Sequence, residues 1–318
     1  MVRTDNLVAL ENAPEGTKFL GRLLWYTISD MRINLDEIKE AFATAGVDEQ
    51  YLPKPINPRD AFRRATKEAE AKRIPMEEKG QYLNLMVREV AMDSDRIVRQ
   101  LVREVVDSKN TRLEYLPIVE VSLYGENDFR TDMKVADISS QELDALVKIK
   151  TEFEQNKDHY NGRHIRDLVQ RILSDCHPIS VRSSGGVYFT PRAHEIGVNA
   201  LQRLVKNMSP FGVSGDRTRL WTVPVVDADD QREMLSEGLE DQVNSESNAL
   251  IKEITDIIKS GRKVKDTTAR DFAQRARDLR EKVKEYEVLL NDNIGAAQAN
   301  LDLAMQAAVQ LLERIDVA

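Results

Sequence analysis

The sequence has only one cysteine, no long apolar run and no apolar export signal. A single cysteine, Cys176, excludes a disulfide framework and is typical of proteins in a reducing cytosol. No stretch approaches the roughly 18 consecutive apolar residues of a membrane helix, and the N-terminal residues lack the apolar core of a signal peptide. We therefore expect a cytoplasmic protein with no membrane partner.

The common catalytic signatures are missing as well. The chain contains neither GxxxxGKS/T nor GxGxxG, which removes the main support for ATPase or dinucleotide-binding activity. GxSxG and HExxH are also absent, and no acidic residues are spaced for two-metal nuclease chemistry. We expect no catalysis, no catalytic residue and no cofactor. The alternative of a hydrolase whose site is assembled from separated strands stays open.

The charge balance limits how this chain meets nucleic acid. Its 318 residues include 54 Asp/Glu and 46 Lys/Arg, a net charge of −8, and 31% of all residues are charged. Such a chain repels phosphate as a whole, so binding to DNA or RNA requires a local basic face. The high charged fraction suits long exposed helices attached to a modest globular body.

The pattern of elements predicts an α+β fold in three segments. Residues 1–136 combine an N-terminal helical segment with an antiparallel β-meander, since 81–124 holds three Val/Ile-rich runs separated by turn-like DSD and DSKN. Residues 137–227 form a helix-hairpin-helix segment followed by a strand that Pro224 places at a sheet edge. Residues 228–318 form an antiparallel helical hairpin or coiled coil.

Three polar residues are predicted to start helices. Asn34 and Asn57 precede amphipathic stretches, with Pro58 at the first helical position after Asn57, and Ser140 precedes a third helix. Residues 17–29 are apolar with aromatic and β-branched members, so this segment fits either a helix or a strand.

One segment is basic within this acidic chain. Residues 161–206 contain seven Lys/Arg against three Asp/Glu. An amphipathic helix over 162–173, a hairpin turning at 183–186 and a second helix follow one another, an order typical of a winged helix. The predicted nucleic-acid contacts in this segment are Arg163, Arg166, Gln170, Arg182 and Arg192. In the alternative, the hairpin belongs to a continuous sheet and its arginines are merely solvated.

A second basic patch lies on the helix after Pro58. Arg59, Arg63 and Lys67 are predicted phosphate contacts there. The competing interpretation is a solvated helix whose arginines pair with acidic residues at helical spacing.

Every histidine lies in or beside the basic segment, next to the cysteine. His159, His164, His177 and His194 are zinc-competent, as is Cys176. Their spacing matches no closed zinc site, so we expect no metal, with catalytic zinc left as an alternative. A Cys–His nucleophile pair is disfavoured because adjacent residues point apart in a strand.

The C-terminal region has coiled-coil spacing. Residues 229–260 and 266–316 contain no proline, and the second stretch would form a helix of roughly 75 Å. Its seam is the predicted oligomerisation surface, formed by Leu290, Leu301, Ala304, Ala308, Leu311 and Ile315.

Two blocks carry a resemblance to a known family. The blocks FLGRLLWYTISDMRINLDEIKEAFATAGVDEQYLPKPINPRDAFRRATK and VRSSGGVYFTPR resemble an uncharacterised family of bacteria and their phages. That resemblance implies a phage or mobile-element context and assigns no catalytic residue.

Together these patterns predict a non-catalytic protein that associates with DNA or RNA through residues 161–206 and self-associates through its coiled coil. The alternative from another class is an assembly scaffold, or an inhibitor of a host factor, that binds a protein partner through its long helices.

Overall fold

The structure, a computed structural model, describes residues 16–182, 185–213, 215, 217–260, 264–292 and 295–316. The chain divides into two compact units. Unit 1 comprises the described residues up to Asp30, Glu40–Tyr51 and those from Ile165 onward. Unit 2 comprises Met31–Lys39 and Leu52–His164. The segment boundary predicted at 136/137 falls inside unit 2, and that at 227/228 falls inside unit 1.

Unit 2 is built on a five-stranded antiparallel meander. Its strands follow one another in space as in sequence: β3 (Ala71–Pro75), β4 (Gln81–Met92), β5 (Arg96–Asp107), β6 (Arg112–Tyr124) and β7 (Asp128–Met133). The three long central strands are the meander predicted from the Val/Ile-rich runs, which is confirmed. The edge strands β3 and β7 were not predicted.

Two helices cover one face of this sheet. They are α2 (Pro58–Glu68) and α3 (Ser140–Asn156). Phe62 of α2, Phe153 of α3 and Phe129 of β7 meet with ring centroids about 6 Å apart, at the centre of the unit 2 core. A two-residue ladder between β2 (Ile33–Asn34) and β8 (His159–Tyr160) completes unit 2.

Unit 1 contains a four-stranded antiparallel sheet in the order β11-β1-β10-β9. Its strands are β1 (Phe19–Thr27), β9 (Ile179–Ser180), β10 (Tyr188–Pro191) and β11 (Arg219–Val226). The ambiguous segment 17–29 is therefore a strand, paired on both sides. The strand that contains Pro224 lies at the sheet edge, as predicted.

Three further helices lie wholly or partly in unit 1. Helices α1 (Leu35–Ala45) and α4 (Gly162–Ser174) each cross the division between the units, and α5 (Glu195–Met208) contacts β10 and β11. One sheet face is buried under three C-terminal helices, where Leu20, Phe189 and Val225 share a core with residues of all three. Those helices are α6 (Asp229–Ser260), α7 (Asp266–Leu290) and α8 (Gly295–Asp316).

The single long C-terminal helix predicted over 266–316 is wrong. The chain leaves α7 at Asn291, whose φ of 51° places it in the left-handed region, and α8 packs back against α6 and α7. Asparagine tolerates this conformation better than most residues and often ends helices in this way. The result is a bundle of three helices in place of a hairpin of two.

The predicted oligomerisation seam is used within the chain. Leu290, Leu301, Ala304, Ala308 and Leu311 are all buried in the bundle of one molecule, so these five side chains do not form a free surface for a second copy. The side chain of Ile315 lies outside the described residues. The self-association predicted from this seam loses its basis.

Helix starts follow the predicted caps closely. Asn34 accepts from the Glu37 amide at 2.9 Å, and Asn57 accepts from the Arg59 amide at 2.9 Å. The cap of α3 is Ser139, one residue before the predicted Ser140, because Glu142 lies at the position that completes a capping box with Ser139.

In the described part of the chain, no helix combines the length and apolar character needed to cross a membrane.

Candidate functional site

Two tryptophans form an exposed platform on the sheet of unit 1. Trp25 of β1 and Trp221 of β11 are direct cross-strand partners, and their rings stack with centroids 6.2 Å apart at an angle of 18°. They are 36% and 37% exposed. The guanidinium of Arg219 lies 5.9 Å from the centre of the Trp221 ring. We call these three residues the Trp platform. The sequence contains no tryptophan other than these two.

The strand pattern explains why this aromatic pair faces solvent. Along β11, buried Leu220 and Thr222 alternate with exposed Arg219, Trp221 and Val223. The bundle covers the same sheet face further along, around Leu20 and Phe189, and leaves the end that carries the Trp platform uncovered among the described residues.

The predicted recognition helix, α4, has the expected apolar face. Ile165, Leu168, Val169 and Ile172 are buried. Arg163, Arg166 and Gln170 are exposed, as predicted.

The polar face of α4 also has structural partners in unit 1. Arg166 donates to the Ile28 carbonyl at 3.4 Å. Burial raises the pKa of Tyr26, and a hydrogen bond from Gln170 acts in the opposite direction. Arg163 belongs to unit 2, so the predicted contacts of this helix do not all lie on one unit.

The predicted wing is part of the four-stranded sheet. Strand β10 pairs with β9 on one side and with β1 on the other, which is the continuous-sheet alternative. Arg182 and Arg192 are exposed near opposite ends of this hairpin. Ser183 and Ser184 of the predicted turn lie outside the described residues, and Gly185 and Gly186 have positive φ values of 73° and 86°.

The basic helix of unit 2 uses its arginines for structure. Arg59 donates to the backbone carbonyls of Asp93 and Ser94. Arg63 pairs with Glu89 at 3.0 Å and with Asp60 at 3.3 Å. Of the three predicted phosphate contacts here, Lys67 is exposed with no ion pair to another described residue, whereas Arg59 and Arg63 are already engaged. Only the pair of Arg63 and Asp60 has the helical spacing of the competing interpretation, and the other contacts of these arginines lie outside the helix.

A second constellation in unit 1 joins two histidines to a carboxylate. Nδ1 of His177 lies 2.5 Å from Oε2 of Glu285, and Nε2 of His194 lies 3.1 Å from the same oxygen. The two imidazole centroids are 4.9 Å apart. All three side chains are between 22% and 24% exposed. We call these residues the His–Glu–His cluster.

Helix α7 holds the backbone beside His177. The Tyr286 hydroxyl donates to the His177 carbonyl at 2.7 Å, and the Lys282 ammonium donates to the Pro178 carbonyl at 2.5 Å. Tyr286 is fully buried, and His177 has a left-handed φ of 46°. Because Lys282, Glu285 and Tyr286 share one helix face, α7 both supplies the carboxylate and fixes the loop that carries His177.

The thiol of Cys176 is buried and hard to ionise. Burial together with the carboxylates of Asp175 and Glu285 raises its pKa to about 11. A thiol with that pKa is protonated at neutral pH, and only the thiolate is a good nucleophile.

The sequence gives no local signal for either constellation. His177 lies in a loop and His194 at the end of a short 3-10 helix, and Glu285 follows much later on a helix whose heptad pattern indicates only packing. The two tryptophans are equally distant in sequence, and only the pairing of β1 with β11 brings them together.

Comparison with known proteins identifies the family of the chain but no function for it. No curated protein and no solved structure matches it. The profile of a family of unknown function, DUF6744, matches residues 19–317. Since that match spans both units and nearly the whole sequence, the chain belongs to this family of unknown function, DUF6744.

Proposed function

We propose that this protein binds single-stranded nucleic acid through the Trp platform. The observation that carries the proposal is the stacked, solvent-exposed pair of Trp25 and Trp221 with Arg219 beside it. Tryptophan normally buries most of its large apolar surface, so two adjacent exposed indoles are a candidate ligand surface.

The chemistry of the Trp platform fits unpaired bases. Base stacking on an aromatic side chain contributes about 1–3 kcal/mol per base and tolerates any base, because every base has a π face. Arg219 supplies the positive charge that attracts the phosphate backbone. A surface of this kind binds single strands with little sequence preference, whereas a duplex hides its base faces.

The charge of the surrounding sequence supports the same ligand. Residues 165–226 of unit 1 contain eight Lys/Arg and four Asp/Glu, although the whole chain is acidic. Arg182, Arg192 and Arg219 form no ion pair with any other described residue. These arginines are therefore available to phosphates. A winged-helix contact through Arg166 and Arg182 is the other route within unit 1, and the continuous sheet makes it the weaker one.

The second candidate is a protein-binding surface on strand β11. This edge strand exposes Val223, which is 40% exposed and lies two residues from Trp221 on the same face of the strand. Exposed edge strands recruit extended peptides by backbone pairing, and an apolar row adds affinity. Binding of that kind depends weakly on salt, which separates it from binding to phosphates.

Intrinsic fluorescence tests the proposal directly, because both tryptophans of the chain lie in the Trp platform. The purified protein is titrated with an oligothymidylate of about 20 nucleotides, longer than the roughly 4–16 nucleotides that a single-strand site covers. We expect saturable quenching that weakens as salt increases. A duplex of the same length should quench much less.

Anisotropy of the labelled oligonucleotide then measures the affinity of variants. Trp221→Ala should weaken binding. The matched control is Arg63→Gln, because Arg63 lies in unit 2 and is already paired with Glu89 and Asp60. Oligonucleotide binding that is equal in both variants, or absent at low salt in the wild-type protein, rules the proposal out. Salt-insensitive capture of a peptide by β11 would point to the second candidate.

A further inference from the structure

We infer that the His–Glu–His cluster is a binding site for a divalent transition metal ion of the zinc type. His177, His194 and Glu285 would supply three ligand atoms, two imidazole nitrogens and one carboxylate oxygen. This site is separate from the Trp platform and does not depend on the proposed function.

The geometry of the three side chains is close to that of a metal site. The three ligand atoms all lie within 4.8 Å of one another. A tetrahedral ion with bonds of about 2.0–2.1 Å keeps its ligand atoms roughly 3.3 Å apart. Nε2 of His194 and Oε2 of Glu285 are already 3.1 Å apart. Nδ1 of His177 is only 2.5 Å from the same oxygen, so a small rotation of the His177 side chain must lengthen that distance.

The donor set selects the class of ion. Two imidazoles and one carboxylate suit zinc and its neighbours cobalt, nickel and ferrous iron, whereas calcium and magnesium prefer oxygen ligands alone. Each side chain remains about a quarter exposed, so solvent reaches the cluster. Three protein ligands with one position left for water is the arrangement of open zinc sites rather than closed structural ones.

The surrounding contacts hold the ligands in place before any ion binds. His177 keeps a left-handed backbone with φ of 46°, a conformation that is unfavourable for a non-glycine residue. Tyr286 and Lys282 fasten its own carbonyl and that of Pro178 to α7. Outer contacts that orient the ligands are a regular part of metal sites, and here they come from the same helix face as Glu285.

A hydrogen-bonded cluster without metal is the competing explanation. Two neutral imidazoles can each donate an N–H to the shared Glu285 oxygen, which accounts for both short distances. The two explanations differ in one property: the metal site takes up one equivalent of ion with high affinity, whereas the hydrogen-bonded cluster takes up none.

Cobalt is the probe for the test, because a tetrahedral Co²⁺ site gives intense visible absorption bands. The full chain is stripped with a chelator and titrated with Co²⁺, and Zn²⁺ is then added as a competitor. We expect saturation at one equivalent and displacement by Zn²⁺. Glu285→Gln and His194→Gln each remove one ligand, and they should weaken binding by more than the 10–100-fold typical of losing an outer contact.

His159→Gln is the matched control, since it removes a histidine of unit 2 and leaves the cluster complete. Its Co²⁺ spectrum should equal that of the wild type, and circular dichroism confirms that each variant is folded. A folded wild-type protein without a saturable spectrum overturns the inference. So does a Glu285→Gln variant that binds Co²⁺ as tightly as the wild type.

Discussion

Arginines in the sheet of unit 2 and Arg219 in the sheet of unit 1 have different neighbours, although Arg22 of the unit 1 sheet is paired with Glu195. In unit 2, Arg103 and Arg112 meet the carboxylates of Glu142 and Glu104 at 2.6 and 2.8 Å. In unit 1, Arg219 lies over an exposed indole and has no acidic partner among the described residues. The same residue type therefore stabilises the fold in one place and remains available to a ligand in the other.

This contrast matters when phosphate-binding surfaces are predicted from basic residues in a sequence. The predicted patch on α2 has the composition of a phosphate-binding helix, yet Arg59 and Arg63 are bound to backbone carbonyls and carboxylates. Positive charge in a sequence counts toward nucleic-acid binding only where the fold leaves it unpaired. The variants below test whether the two sets of arginines separate in this way, beginning with the largest expected effect.

Removing the carboxylate that serves Arg103 should destabilise unit 2 the most. Glu142 is 1% exposed and binds Arg103 with both oxygens, so Glu142→Ala leaves this guanidinium with only Glu114 at 3.7 Å and the Asp137 carbonyl as partners. We expect a loss of about 3 kcal/mol in the free energy of unfolding, measured with urea. The exposed pair of Asp128 and Arg130 is the control, and Asp128→Ala should lower the free energy of unfolding much less than Glu142→Ala does. Equal losses in both variants would contradict this assignment.

The same carboxylate gives unit 2 a dependence on acid. Burial alone would raise the pKa of Glu142, but the Arg103 guanidinium and the Ser139 amide and hydroxyl lower it overall. A carboxyl with a lowered folded-state pKa stabilises the fold at neutral pH, and that contribution is lost as pH falls through its folded-state pKa. We expect the unfolding free energy of the wild type to fall in acid more steeply than that of Glu142→Gln. Parallel pH profiles would exclude this role.

On unit 1, loss of an indole should affect binding. Trp25→Ala and Trp221→Ala each remove one stacking surface worth about 1–3 kcal/mol per base, which corresponds to a loss of about 5- to 150-fold in oligonucleotide affinity. Anisotropy of a labelled single strand measures this loss. Because the two indoles are 36% and 37% exposed and lie outside the part of the sheet that the bundle covers, circular dichroism should change little. An affinity unchanged in both variants would locate binding elsewhere.

Arg219→Gln should have a smaller effect that salt reveals. Loss of one phosphate contact reduces the slope of log affinity against log salt by about 0.7 for a single strand. The matched variant is Arg112→Gln, since Arg112 also lies beside an aromatic ring, that of Tyr115, but is paired with Glu104. Its salt slope should equal that of the wild type. Identical slopes for all three proteins would remove Arg219 from the proposed site.

The smallest effect is expected for Arg63 in unit 2. Arg63→Gln breaks partly exposed pairs with Glu89 and Asp60, so it should lower the free energy of unfolding by less than about 1 kcal/mol. Oligonucleotide affinity should not change. A fall in affinity comparable to that of Arg219→Gln would erase the distinction between the two sets of arginines.

Local features of the fold were predictable because their signals are local. The caps Asn34 and Asn57 and the alternating strands of the meander depend on neighbours a few residues away, and these predictions are confirmed. The break at Asn291 was missed because the heptad pattern continues on both sides of it. The Trp platform and the His–Glu–His cluster depend on contacts between strands and helices that are distant in sequence. No regular spacing of residues marks such contacts, so they could not be predicted.

The pairing of β1 with β11 has a consequence for synthesis of the chain. Trp25 and its partner Trp221 are separated by the whole of unit 2, which a ribosome completes first. At roughly 5–20 residues per second, the interval of about 200 residues lasts on the order of 10–40 s. Until β10 is made, about 160 residues after β1, this strand has neither of the two neighbours that it has in the finished sheet, and β11 follows about 30 residues later. The nascent protein therefore carries an unpaired apolar strand for much of its translation, the period when it is most open to chaperone capture or to aggregation.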